Sequence, residues 1–167
     1  MKDYLRLIDT QTEGSRNDVT PLFADAAAFS ALVADLVAPF DTTEIDLVAG
    51  IDALGFILGT AVAIRLGKGF IPIRKGGKLP VLTDTVEFVD YTSEQKSLEL
   101  RIGAIRPGAK VLLVDEWIET GAQVQAAVKL IERQGGVVAG ITTINIDENE
   151  ATKSLQAKYR CHAVWVD

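Results

Sequence analysis

The chain has 167 residues, of which 48% are apolar and 24% charged, a length and composition that suit one globular domain spanning 1–167 with a full core. Its formal net charge of −6 argues against nucleic-acid or membrane-surface binding, so an anionic ligand would need a local cationic patch. A single cysteine, Cys161, rules out an internal disulfide and fits a reducing, cytoplasmic setting; one Cys and one His, His162, give no basis for a zinc site.

In chain order, residues 1–20 are polar and mixed, and they read as a lead-in and loop without the charge-then-apolar pattern of a signal peptide. Asp25 can cap a helix whose stripe is Phe29, Leu32, Val33, Leu36 and Val37, ended by Pro39. Residues 45–50 form a short apolar run, the first core strand. Residues 56–66 are apolar nearly all round, which predicts a buried helix stopped by Gly67. Residues 70–73 are a second strand, completing a βαβ unit.

The segment 76–96 breaks this rhythm. It carries glycines, a weakly alternating run at 83–89 and a polar tip, and it predicts a mobile, hairpin-like excursion of the kind that covers ligand sites. Strands resume at 98–102 and 111–114, followed by a helix with Val124, Ala127, Val128 and Ile131 on one face. A strand over 137–146, a short helix over 151–158 and a terminal strand over 161–166 complete the chain. Alternating strands and helices predict an α/β fold, an open, mostly parallel twisted sheet flanked by helices, with ligands beyond the carboxyl ends of the strands. The loops at 51–55, 74–78 and 115–123 meet that description.

The stretch 111–121 organises the rest. Four apolar residues, Val111 to Val114, lead into Asp115 and Glu116; Thr120, a plausible N-cap, and Gly121 then open the helix. Amides at a helix start favour a phosphate, and carboxylates just before them can accept hydrogen bonds from sugar hydroxyls. A plain solvated turn at Asp115-Glu116 and an ordinary charged loop face at Arg74, Lys75 and Lys78 are the alternatives from the residues alone. Trp117 can line a base pocket or pack in the core.

Three segments carry a resemblance. They are Gly50-Ile51-Asp52-Ala53-Leu54-Gly55-Phe56, Ile73-Arg74-Lys75-Gly76-Gly77-Lys78-Leu79-Pro80, and residues 111–123. In these the chain resembles the type I phosphoribosyltransferase family, and its adenine branch in particular. The resemblance implies transfer of 5-phosphoribosyl from phosphoribosyl pyrophosphate (PRPP) to a purine base, with release of pyrophosphate and with Mg2+ accompanying PRPP.

The same resemblance implies roles for individual residues. Asp115 and Glu116 would take the ribose hydroxyls, and Glu119, Thr120, Gly121, Ala122 and Gln123 the 5′-phosphate. Asp52, Ala53, Leu54, Gly55, Arg74, Lys75 and Lys78 would meet the pyrophosphate. Asp90 and Tyr91 fall near the family's catalytic loop pair. A nucleoside monophosphate is the implied product, and a homodimer the implied assembly.

Departures accompany the match. Leu54 stands where the branch has arginine, Glu119 where it has a small residue, Ala122 and Gln123 where it has Gly and Thr, Glu116 where it has a second aspartate, and Asn17 where it has arginine. They imply a changed substrate or lowered activity, and the alternative function is a relative that binds a nucleotide or PRPP as a sensor.

Overall fold

The computed structural model describes residues 2–14, 16–89 and 94–165. Two helices, α1 (Thr20–Ala24) and α2 (Ala26–Val37), precede the sheet, and the Asp25 carboxylate caps the second by accepting the Ala28 N–H. Strand β1 (Leu47–Ile51), helix α3 (Leu54–Leu66) and strand β2 (Gly69–Lys75) form the parallel βαβ unit. Gly67 ends α3 at φ 65°, where a glycine carries no steric cost. Strands β3 (Thr83–Val89) and β4 (Gln95–Arg101) make an antiparallel hairpin, and β4 pairs with the end of β2. The chain then returns to the centre as β5 (Lys110–Val114), whose four apolar residues are buried.

Past β5 come the two-residue strand β6 (Trp117–Ile118), helix α4 (Ala122–Arg133), β7 (Val137–Thr143), β8 (Asn145–Ile146), α5 (Glu150–Lys158) and β9 (Cys161–Ala163). The main sheet has seven strands in the order β3-β4-β2-β1-β5-β7-β9, parallel from β2 to β9. One apolar layer packs α1, α2 and α3 on one face; the other packs α4 and the hairpin on the opposite face. This is the open, mostly parallel α/β sheet the sequence predicts.

Three local expectations change. The run at 137–146 is two strands, because after Thr143 the chain leaves the main sheet and pairs β8 with β6 in a separate ribbon. The N-cap of α4 is Gly121, at φ 78°, while Thr120 Oγ1 accepts the Ala122 N–H at 3.3 Å. The segment 76–96 does contain the hairpin, but its first part is anchored.

That anchor is Glu99, only 5% exposed. Its carboxylate accepts N–H bonds from Gly77 (3.0 Å), Lys78 (2.6 Å) and Leu79 (2.5 Å). Burial acts to raise the Glu99 carboxyl, but these amides and the Arg74 charge outweigh it and hold the group below its ordinary value. These bonds tie residues 77–79 to β4. Hydrogen exchange is expected to show slow amides at 77–79 in the free protein. Glu99→Gln should speed them at least about tenfold, since charge-assisted bonds are lost. Equal rates in the two proteins would remove Glu99 as the anchor.

Candidate functional site

The sheet order places β1 and β5 side by side, and the chain leaves them in opposite directions, first toward β2 and later toward β7. Such a switch point opens a crevice beyond the carboxyl ends of both strands. Residues Asp52 and Ala53, joined by a cis peptide bond, follow β1; Asp115 and Glu116 follow β5. The two turns lie close together because Gly55 has no side chain. A Cβ there would stand 2.9 Å from the Val114 carbonyl oxygen and 3.3 Å from Asp115 Oδ1. The Asp52 carboxylate accepts the Lys75 N–H at 3.4 Å and lies 3.6 Å from Arg74 Nε, which ties the first turn to the end of β2.

A cleft of about 530 Å3 opens at this point. Of the residues the sequence singled out, Asp52, Ala53, Leu54, Lys75, Asp115, Glu116, Glu119, Thr120, Gly121 and Gln123 line it. Gly55, Arg74, Lys78 and Ala122 are not among its lining residues. Arg74 donates to the Lys78 carbonyl at 3.3 Å, and the Lys78 N–H is held by Glu99, so these two shape the loop behind the wall. Asp90 and Tyr91 lie outside the described residues.

The lining also includes Arg16, Phe88, Lys96, Asp147 and Asn149, which the sequence did not single out. Arg16 comes from the polar lead-in; its neighbour Asn17 was the only sequence hint. Phe88 and Lys96 face one another across the β3–β4 ladder. Among the described lining residues, the carboxylates of Asp52, Asp115, Glu116, Glu119 and Asp147 stand against the cations Arg16, Lys75 and Lys96. Cations are the scarcer resource for an anionic ligand.

Asp115 is 7% exposed. Its Oδ1 accepts the Glu116 N–H at 2.8 Å and its Oδ2 the Gln123 side-chain amide at 3.4 Å. Burial pushes its carboxyl up to about 7, and the Glu116 charge adds to that, against the amides and Arg16. Glu116 is also raised, chiefly by burial, with Arg16 opposing. The buried Asp115 and the half-buried Glu116, both with raised affinities for protons, are poised for hydroxyl donors, which would satisfy the ionised forms.

The helix N-terminus beyond them is shaped for an anion. Gly121 in the left-handed region turns the chain into α4. Glu119, at the mouth of this loop, is drawn aside: Arg16 Nε lies 3.2 Å from its Oε1, and its carbonyl accepts the Asn149 side-chain amide at 2.8 Å. Asn149 in turn caps α5 in a reciprocal capping box with Thr152. Trp117 stands between the cleft and the apolar layer. It lines the cleft, meets Trp165 edge-on at 5.8 Å, and donates its indole N–H to Asp147 at 2.9 Å. Among the described residues, no three His, Cys, Asp or Glu side chains are grouped to hold a metal ion.

Comparison with known proteins finds relatives of this fold. Residues 23–165 match the phosphoribosyl transferase domain. The chain is 43% identical over 161 residues to an adenine phosphoribosyltransferase of Cereibacter sphaeroides, covering 94% of this chain and 89% of that one. It superposes on the crystal structure of the adenine phosphoribosyltransferase from Rhodothermus marinus with a TM-score of 0.87 at 32% identity, over 96% of this chain and 94% of the other. A Giardia lamblia relative, solved with 9-deazaadenine, gives a TM-score of 0.86 at 30% identity over 97% and 94%.

Proposed function

This chain belongs to the phosphoribosyl transferase family, and from that premise we propose that it transfers 5-phosphoribosyl from PRPP to a purine base, adenine first, releasing pyrophosphate. The observation that carries this reading is the meeting, at one switch-point cleft, of the Asp115–Glu116 carboxylate pair and a glycine-opened helix start. Asp115 and Glu116 accept the ribose hydroxyls, and the amides around Thr120, Gly121 and Gln123 receive the 5′-phosphate. The turn at Asp52, Ala53 and Leu54, with Lys75, faces the pyrophosphate. In this reading Mg2+ accompanies PRPP as part of the substrate.

Bond cleavage at C1′ builds positive charge on the ribose ring, and the ionised Asp115 and Glu116 oppose the cost of that charge by position and field. Asp90 and Tyr91 belong to this reading as the pair that assists the base. Homodimer assembly belongs to it as well, and the exposed Ile57 and Ile64, one above the other on α3, are apolar side chains it could cover.

A second reading, a nucleotide or PRPP sensor without turnover, draws on Leu54 in the cleft wall and on the excess of carboxylates over cations there. Among the described residues no helix is long and apolar enough to cross a membrane, which suits either reading. Pyrophosphate release from PRPP with adenine, hypoxanthine and guanine decides between them. Adenine-dependent release is the expected result; tight AMP or PRPP binding without release from any base would establish the sensor instead.

A further inference from the structure

Leu54 supplies no charge where a pyrophosphate is expected, and two lysines stand at the neighbouring end of the cleft. Lys75, at the end of β2, pairs with Leu98 on β4, and Lys96 pairs with Phe88 on β3. Lys96 and Leu98 are two residues apart on one strand and so point to the same face of the sheet. Lys75 and Lys96 are therefore diagonal cross-strand neighbours, about 7–8 Å apart by strand geometry. This is the face that α4 covers, since Asp84, on the same side of the hairpin, pairs with Arg133 of α4.

A smaller cavity of about 200 Å3 adjoins the main cleft here. It is lined by Lys75, Gly76, Phe88, Lys96, Ser97 and Gln123, and it shares both lysines with the cleft. Its described lining holds two cations, two small residues and no carboxylate, the reverse of the balance in the main cleft. An anion entering the site meets its lowest electrostatic cost at this end. Phe88 stands directly across the ladder from Lys96 and lines the same cavity. The nearby Glu94 carboxylate, 3.4 Å from Lys96 Nζ, belongs to an exposed pair of the kind that contributes little to folding and yields to a stronger anion.

We propose that Lys96, acting with Lys75, binds the pyrophosphate group of PRPP and supplies the charge that Leu54 does not. The assignment rests on the transferase reading and makes Lys96 a substrate-binding residue contributed by the hairpin.

The test compares wild type, Lys96→Gln, Lys96→Arg and the double variant Leu54→Arg/Lys96→Gln, by steady-state kinetics and by calorimetry with PRPP and with inorganic pyrophosphate, each with Mg2+. Lys96→Gln should raise the KM for PRPP and weaken pyrophosphate binding by about 10- to 100-fold, with the KM for adenine within about twofold. Lys96→Arg should keep near-wild-type PRPP affinity, and Leu54→Arg should restore PRPP affinity in the Lys96→Gln background. PRPP and pyrophosphate affinities unchanged by Lys96→Gln would overturn the assignment while leaving the transferase reading intact. A wild type that binds neither ligand would overturn both.

Discussion

Asp115→Asn is expected to lose phosphoribosyl transfer by about 100-fold or more, while melting at a higher temperature than the wild type at pH 8. The first effect follows from the acceptor count: an amide offers one oxygen and an N–H where the carboxylate offers two oxygens. Each lost charge-assisted bond is worth about 1.5–3 kcal/mol. The second follows from burial, which raises the Asp115 carboxyl from 3.8 to about 7. A carboxyl raised on folding binds its proton more tightly in the folded chain, so its cost to stability appears as pH rises from about 4 and is complete above 7. At pH 8 that cost is on the order of 4 kcal/mol. Asparagine removes the charge and keeps the acceptor for the Glu116 N–H. Thermal melts should therefore show a gain of several degrees at pH 8 that shrinks as pH falls through 7.

The same titration governs binding. AMP affinity should be flat above pH 7 and fall by up to about tenfold per pH unit below it. The phosphate's own ionisation divides out when wild type is compared with Asp115→Asn. A variant no more stable at pH 8 would mean that the buried carboxylate is already satisfied without ligand.

Arg16→Ala should weaken binding of the 5′-phosphate of AMP by about 10- to 100-fold with little change in melting temperature. The Arg16–Glu119 pair is half open to solvent, with side chains 64% and 22% exposed, and such pairs contribute at most about 1 kcal/mol to folding. Its importance is local. Without Arg16, the Glu119 carboxylate stands beside the phosphate loop uncompensated. One unit charge about 5 Å from another costs about 3 kcal/mol at an effective dielectric near 20. Glu119→Ala alone should hold or slightly improve AMP affinity, and Arg16→Ala/Glu119→Ala should come back to within about threefold of it. Titration calorimetry on the four proteins completes the cycle. A double variant as weak as Arg16→Ala would show that the guanidinium touches the ligand itself.

Local patterns in the chain were sufficient to define the layers. The stripe at Phe29, Leu32, Val33 and Leu36 and the four-residue core of β5 each follow a local period, and a βαβ alternation closes in one hand; α3, apolar nearly all round, buries only one side and leaves Ile57 and Ile64 exposed. The acid pair and the Thr120-Gly121 turn were legible for the same reason: both depend on neighbours within ten residues. Pairings between distant segments were not legible. The Glu99 carboxylate reaches amides about twenty residues away, a tie that the local glycine pattern does not carry. Arg16 meets Glu119 across 103 residues, and no periodicity carries that. The hairpin's charge was hidden too, because Lys96 is only part of a polar tip until strand register sets it diagonal to Lys75. The sequence by itself determined the α/β sheet, the switch-point loops and the family, since these follow from short-range hydrophobic period and turn chemistry. Only the tertiary structure decided the charge balance of the cleft, because a carboxylate's partner, burial and proton affinity are properties of what folds against it.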